Sequence, residues 1–498
     1  MEGVKVERPP ADGRRVTTEA PAFSGRTAAR ATRWSGLAVV VRQGAQLLFA
    51  VLLARWLGPA EFGVVSLATI YATLMALLLD QGLSSAYVQR RTLPEGAAGA
   101  VAGVNLLAAV LLGLATAVAA GPVAAFFDAP GLEVVLHVLA AGLVVKGAAV
   151  APRAVLTRRL DYGAVAAGDV SGAVAGAAAG LVAALLGAGA LSVAVQVLVT
   201  DAVVLVVLLA RSRGPVPSLR LAPLRELLPT SAAVFASNAV AQLSRNTDNV
   251  LVGKFLGTAA LAHYAMAYRV LVVPVQFIGL TVKRVLFPAF SRMADDRAKL
   301  AATLVSATEL LAFASVPLMA LLAVAAPQLV EVVLGPAWAE SAPLMTVLAL
   351  AGARETIFYI TPSLLTATGR AGWTLRFELV STAVQVAGIL AGLPFGILGV
   401  AVGYACAGLV LTPVLLVVQR RTTGVRVRDQ LGAMAPALHA SAWAALAYLA
   451  WRWSGTGTWT TLLAGAVSYA AVLVGVLLLV HRTPALRTAR RLAAVVRR

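Results

Sequence analysis

The sequence predicts an all-α polytopic membrane protein of about fourteen transmembrane helices. Three observations predict it: an apolar composition, a succession of apolar runs long enough to cross a bilayer, and a lopsided placement of lysine and arginine between those runs. Of 498 residues, 60% are hydrophobic and 13% charged, where soluble domains average roughly 45–50% and 25%. A span needs about 20 apolar residues. In order, the runs are 35–55, 62–80, 97–119, 132–150, 163–186, 190–210, 230–252, 264–282, 302–325, 342–362, 374–393, 396–418, 436–451 and 459–480. The run at 436–451 is short, and the joins at 187–189 and 394–395 are tight.

The basic residues orient these runs. With the N-terminus inside, 33 of the 41 Lys and Arg fall in inside segments, against three outside: Arg55, Lys254 and Arg452. Arg42, Lys146, Arg245, Arg269 and Arg354 lie within runs. Cytoplasmic loops carry the positive excess, so both termini of a multi-pass membrane protein are expected in the cytoplasm. A missed or extra run would put several basic loops on the wrong side. The expected organisation is a disordered basic tail (1–33), an N-lobe of six helices (34–212), a cytoplasmic linker (213–228), a C-lobe of six (229–420), two further helices with their preceding loop (421–481) and a basic tail (482–498).

The same features exclude other classes. A net charge of +19 could indicate nucleic acid, but the arginines sit in short loops with no basic groove and interleaved aromatics. Residues 1–33 have no apolar core and are not a signal peptide. The single cysteine, Cys406, rules out an internal disulfide and lies in an apolar run as a packing residue. His137, His263, His439 and His481 have no metal-ligand spacing, and there is no P-loop. No enzyme activity, cofactor or metal is expected.

Two patterns describe the interior. Residues 52–58 (LLARWLG) and 251–257 (LVGKFLG) align on a shift of 199 residues, which pairs Arg55 with Lys254 and Gly58 with Gly257. The same shift sets Gln43 on Gln242 and Gln46 on Arg245. Six runs separate the copies, so both point the same way, and a parallel repeat places substrate at the interface of its halves. In the fifth run Gly168, Gly172, Gly176 and Gly180 recur every fourth residue, a small-residue ridge for close helix packing rather than for function.

The chemistry lies in polar groups within the runs. In run 7 Asn238, Gln242, Arg245 and Asn249 fall on one helical face, with Asp248 beside them. An ionisable group at mid-membrane costs roughly 2.5–3.5 kcal/mol on insertion scales, so it faces protein or a wet path. Arg42, Gln43 and Gln46 in run 1 and Arg269 at the start of run 8 extend the set. The competing reading of run 7 is a structural ion pair between Arg245 and Asp248 at i, i+3. Lys146 and Glu378 near cytoplasmic ends can snorkel, and Arg354 and Glu355 can neutralise one another or neighbours. Asp248, Asp169 and Asp201 are candidates for carrying a proton or Na⁺.

The runs RWLGPAEFGVVSLA (55–68), LDQGLSSAYVQRRTL (79–93), NTDNVLVGKFLGTAALAHYAMAYRVLVVPVQFIG (246–279), FPAFSRMADD (287–296), VLGPAWAESAPLMTVLAL (333–350) and TATGRAGWTLRFEL (366–379) together resemble, in order, Wzx-type polysaccharide flippases of the MOP superfamily, and the WzxC-like branch in particular. The resemblance covers roughly residues 34–420 and implies two six-helix lobes in a V with pseudo-two-fold symmetry, plus two C-terminal helices. It implies translocation of an undecaprenyl-diphosphate-linked oligosaccharide by alternating access, among membrane lipids and alongside a polysaccharide polymerase and glycosyltransferases. Arg42, Arg245 and Arg269 are then candidates to meet the diphosphate, and Asn246-Thr247-Asp248-Asn249 matches the family pattern. Two other readings stay open. A multidrug-type exporter of the same superfamily would favour acidic over basic cavity residues, and a non-transporting scaffold of an envelope assembly complex would not need the stripe.

Overall fold

In the computed structural model every regular element is a helix among the residues described, which are 25–80, 83–90, 92–220, 222–224, 228–455, 457–483 and 486. The expected tails fall mostly outside them. Several helical side chains, including those of 25–41, 228–241 and 243–245, are also outside the described residues. The helices are α1 (Gly25–Asp80), α2 (Leu83–Gln89), α3 (Ala97–Phe126), α4 (Gly131–Arg158), α5 (Tyr162–Leu185), α6 (Leu191–Ser212), α7 (Leu228–Arg292), α8 (Arg297–Val333), α9 (Ser341–Phe358), α10 (Thr361–Ala367), α11 (Ala371–Gly392), α12 (Gly396–Thr423), α13 (Val427–Trp453) and α14 (Thr458–Leu479).

Among the described residues, eleven helical stretches are long and apolar enough to cross a membrane. Three of them overlap two expected spans each: Arg42–Leu79, Asn246–Val275 and Gly372–Thr423. The first two contain a sharp break, at Gly58 (φ 72°, ψ 174°) and at Gly257 (φ 87°, ψ 174°). Only glycine adopts that backbone cheaply. The 199-residue echo is therefore an echo of conformation, since both copies end their first helix on the same kind of turn. The third is interrupted by a single turn of 3₁₀ helix at Leu393–Phe395.

Two expected boundaries need correction. The short run at 436–451 is the interior of a 27-residue helix, α13, which continues through Pro436 and buries Gln430 at one end. Polar residues packed against protein had read as loop. The run at 342–362 divides into α9 and α10, with Pro362 in the first turn of the second helix.

Packing divides the chain into two units. One comprises 1–50, 68–125 and 130–243; the other comprises 51–67, 126–129 and 244–498. Within the first unit the helix interiors are small and the outward faces large. In α3 the buried set is mainly Ala100, Ala102, Gly103, Ala109, Gly113 and Ala120, whereas Leu111, Leu114 and Val118 are exposed. This suits helices in lipid, where close contact rather than hydrophobic exclusion drives association. The α5 ridge packs on α6 at backbone range. A Cβ added to Gly176 would lie 1.9 Å from Thr200 Oγ1 and 2.6 Å from the Gln196 carbonyl oxygen. In the second unit α11 and α12 approach in the same way, with a Cβ on Gly403 falling 2.1 Å from the Gly388 carbonyl oxygen. Tyr469 of α14 donates to the Pro317 carbonyl of α8 at 2.7 Å.

Gly176→Leu is expected to destabilise the protein by about 3 kcal/mol, the upper range for overpacking, because a backbone carbonyl cannot move aside. Gly475→Leu, at a position with open space around it, should be near neutral. Melting temperatures in detergent compare the two; equal values would mean the ridge is not a packing surface.

Candidate functional site

In the second unit a row of tyrosines links two carboxylates, Asp248 and Glu355. Asp248 of α7 is buried, at 5% exposure, in a segment long and apolar enough to cross a membrane. Its Oδ1 accepts from the Asn249 backbone N–H at 2.8 Å and side-chain amide at 3.0 Å, and its Oδ2 accepts from the Tyr264 hydroxyl at 3.2 Å. Tyr264 stands after the Gly257 break, so the turn there folds the next segment of α7 back to deliver this donor. One helical turn on, Tyr268 stacks on Tyr264 with ring centroids 5.8 Å apart. Tyr268 meets Tyr404 of α12 edge-on at 6.1 Å, and the Tyr404 hydroxyl donates a short hydrogen bond to Glu355 Oε1 of α9. The row Asp248, Tyr264, Tyr268, Tyr404, Glu355 therefore runs through three helices.

Its electrostatics are lopsided. Among the described residues the hydrogen-bond partners of Asp248 are neutral. Arg354, next to Glu355 in sequence, donates instead to Thr412 Oγ1 at 2.9 Å, lies against Gly408 and stands 5.7 Å from the centre of the Phe358 ring. Arg354 and Glu355 thus bond different neighbours. Carboxylates held by hydroxyl and amide donors, as buried Asp248 and half-buried Glu355 are, can change charge or take a small cation at lower cost than ones locked to arginine.

The other nominated carboxylates are held differently, both in the first unit. Asp169 of α5 takes a two-pronged contact from Arg153 of α4, at 2.6 and 3.2 Å. Asp201 of α6 is bonded through both oxygens, each at 3.2 Å, by Lys146 of α4. Lys146 does not merely snorkel; it neutralises Asp201.

The remaining predicted residues are divided between the two units. Arg42, Gln43 and Gln46 are exposed on α1. Gln242 is half-buried. The side chains of Asn238 and Arg245 lie outside the described residues. Arg269 is half-buried, with its guanidinium 5.8 Å from the centre of the Phe62 ring. The tyrosines were missed by sequence reasoning because a tyrosine in an apolar run reads as packing. The i, i+4 spacing of Tyr264 and Tyr268 was the available signal.

The sequence model of a family described as "Polysaccharide biosynthesis protein" matches residues 52–343. The chain is 23% identical to the lipopolysaccharide biosynthesis protein WzxC of Escherichia coli (strain K12) over 384 residues, covering 76% of this chain and 78% of that one. It is 24% identical to the teichuronic acid biosynthesis protein TuaB of Bacillus subtilis (strain 168) over 353 residues, covering 68% and 71%. Among solved structures, the lipid II flippase MurJ in an inward closed conformation shares its fold, with a TM-score of 0.70 at 14% identity, over 90% of this chain and 98% of MurJ.

Proposed function

The chain belongs to the polysaccharide biosynthesis protein family, and from that premise we propose that it flips an undecaprenyl-diphosphate-linked oligosaccharide across the bacterial plasma membrane, by alternating access, for surface polysaccharide synthesis. The observation that carries this reading is the match of the polysaccharide biosynthesis family model over residues 52–343, and the fold shared with the lipid II flippase MurJ over nearly the whole of both chains is the one such work needs. Both termini lie in the cytoplasm, as the 33-to-3 distribution of basic residues favours. The protein is a carrier and not an enzyme. Its work is coordinated with a polymerase and glycosyltransferases that supply and use the glycan.

The cationic groups Arg42, Arg245 and Arg269 meet the diphosphate, and Gln43, Gln46, Asn238, Gln242 and Asn249 line the headgroup path. Arginine suits this task because its planar fork gives bidentate bonds to phosphate oxygens. The prenyl chain stays in lipid, where it needs no escort. Energy enters as a proton or Na⁺ at Asp248, with Glu355 at the far end of the tyrosine row. Asp169 and Asp201 are less suited, since each already shares its charge with a basic partner.

A strain lacking the protein is expected to accumulate lipid-linked oligosaccharide in the cytoplasmic leaflet, with the outer leaflet depleted. Leaflet-resolved extraction after periplasmic labelling of sugars measures it. Normal outer-leaflet levels in the deletion strain would refute the reading.

A further inference from the structure

We propose that Arg55 and Lys254 are a matched pair of releasable helix caps on the outer face, and that both must let go for the protein to open outward. The proposal rests on the transport reading above.

The two cations are equivalent in the repeat, each placed three residues before a glycine break of the same geometry, Gly58 or Gly257. Each reaches the C-terminal carbonyls of a helix far away in sequence. Arg55 Nη1 donates to the Val332 carbonyl at 2.9 Å and the Val333 carbonyl at 3.4 Å, the last two residues of α8. Lys254 Nζ donates to the carbonyl of Phe126, the last residue of α3, at 2.7 Å, with its ammonium 4.4 Å from the centre of that ring. Helix C-termini present unsatisfied carbonyls and the negative end of the helix dipole, so a cation there fills both needs.

The arrangement is reciprocal. α3 and α8 each carry the third apolar run of their half of the sequence. Arg55, from the first half, caps the helix of the second; Lys254, from the second, caps the helix of the first. All four positions lie within one packed unit, which draws residues 51–67 and 126–129 in among residues 244–498.

Three features mark these caps as releasable. Both cations are exposed, so water can replace either carbonyl without a large penalty. Basic residues are scarce outside, and Arg55 and Lys254 are two of the three there, so their placement against the general bias calls for a task. Beneath Arg55, Trp338 is fully buried, donates Nε1–H to the Ala54 carbonyl at 3.0 Å and meets Phe62 edge-on at 5.5 Å. Ala54 is itself among the last residues before the Gly58 break, where helix carbonyls lack intrahelical partners. Outward opening would have to free Trp338, and the exposed caps are the contacts that can yield first.

The test reads conformation rather than transport. In a Cys406→Ala background, Ser341→Cys places a thiol at a position 1% exposed beside His263. Its labelling by a membrane-impermeant maleimide from outside reports opening. Arg55→Ala and Lys254→Ala are each expected to raise the labelling rate about two- to fivefold, given the usual strength of a cation at a helix terminus, and the double variant by the product. Arg55→Lys and Lys254→Arg should label at the parent rate. A double variant labelling at the parent rate overturns the proposal, as does an equal increase in the charge-preserving variants. Should the alanine variants fail to reach the membrane, Arg55→Cys with Val333→Cys, bridged by a reducible bis-maleimide, gives the converse. Bridged protein should stop exporting polysaccharide and resume on reduction; undiminished export while bridged overturns the requirement for release. Failure of the flippase reading would show instead as unaltered leaflet distributions in the deletion strain, whatever the labelling rates.

Discussion

Arg245→Ala is expected to lower surface polysaccharide export about 10- to 100-fold while leaving the amount of protein in the membrane unchanged. Hydrogen bonds to a charged group contribute about 1.5–3 kcal/mol, and every 1.4 kcal/mol is about tenfold. A diphosphate deprived of one bidentate partner in a low-dielectric path loses an interaction of that size. Arg245→Lys should recover only part of the activity, because a lysine keeps the charge and loses the fork. The readouts are polymer at the cell surface and protein by immunoblot of membranes. Normal export in the alanine variant would sink the proposed role. If instead Arg245 serves only as an ion-pair partner of Asp248, then Arg245→Ala should reduce the amount of inserted protein, and the double variant with Asp248→Asn should restore it.

The second large effect concerns the tyrosine-linked carboxylates. Asp248→Asn preserves the shape and removes the ionisable group, its one amide oxygen accepting either from Tyr264 or from Asn249. If Asp248 carries one charge per cycle, a membrane potential of 100 mV supplies about 2.3 kcal/mol, or roughly 50-fold in rate. Flipping into energised vesicles should therefore fall about 50-fold in Asp248→Asn and match the parent measured after both the proton and Na⁺ gradients are collapsed. Glu355→Gln can still accept from Tyr404, so it separates charge from packing at the other end of the row. A parent protein that flips equally well without either gradient would remove the coupling role from both residues.

Much of this was legible in the chain itself. The apolar runs and the tight joins follow from residue-level rules, because in lipid the backbone must satisfy itself within each segment; the echo paired Gly58 with Gly257, but their left-handed break came only with the structure. α13 was underestimated for the opposite reason. Gln430, in the part of α13 ahead of the expected run, is buried, and a hydropathy rule cannot tell a polar residue facing protein from one facing water. The same gap hid the partners of the intramembrane charges. Lys146 and Asp201 are 55 residues apart, and Tyr404 and Glu355 are 49 apart. Asp248 could be singled out because a carboxylate in a span is costly. Tyr264, Tyr268 and Tyr404 could not, because a tyrosine costs little there until its hydroxyl is asked to find a partner.

The bond between Trp338 and Ala54 spans 284 residues of sequence, and this bears on how the protein is made. At about 5–20 residues per second of synthesis, the segment around Ala54 waits on the order of 15–60 s before the tryptophan that covers it leaves the ribosome. During that interval the tip of the first hairpin, with Phe62 and an unfilled helix end, has been inserted but cannot be finished. A nascent chain stalled between α2 and α9 should thus be a preferred substrate for membrane quality-control proteases, with cleavage concentrated near residues 51–67.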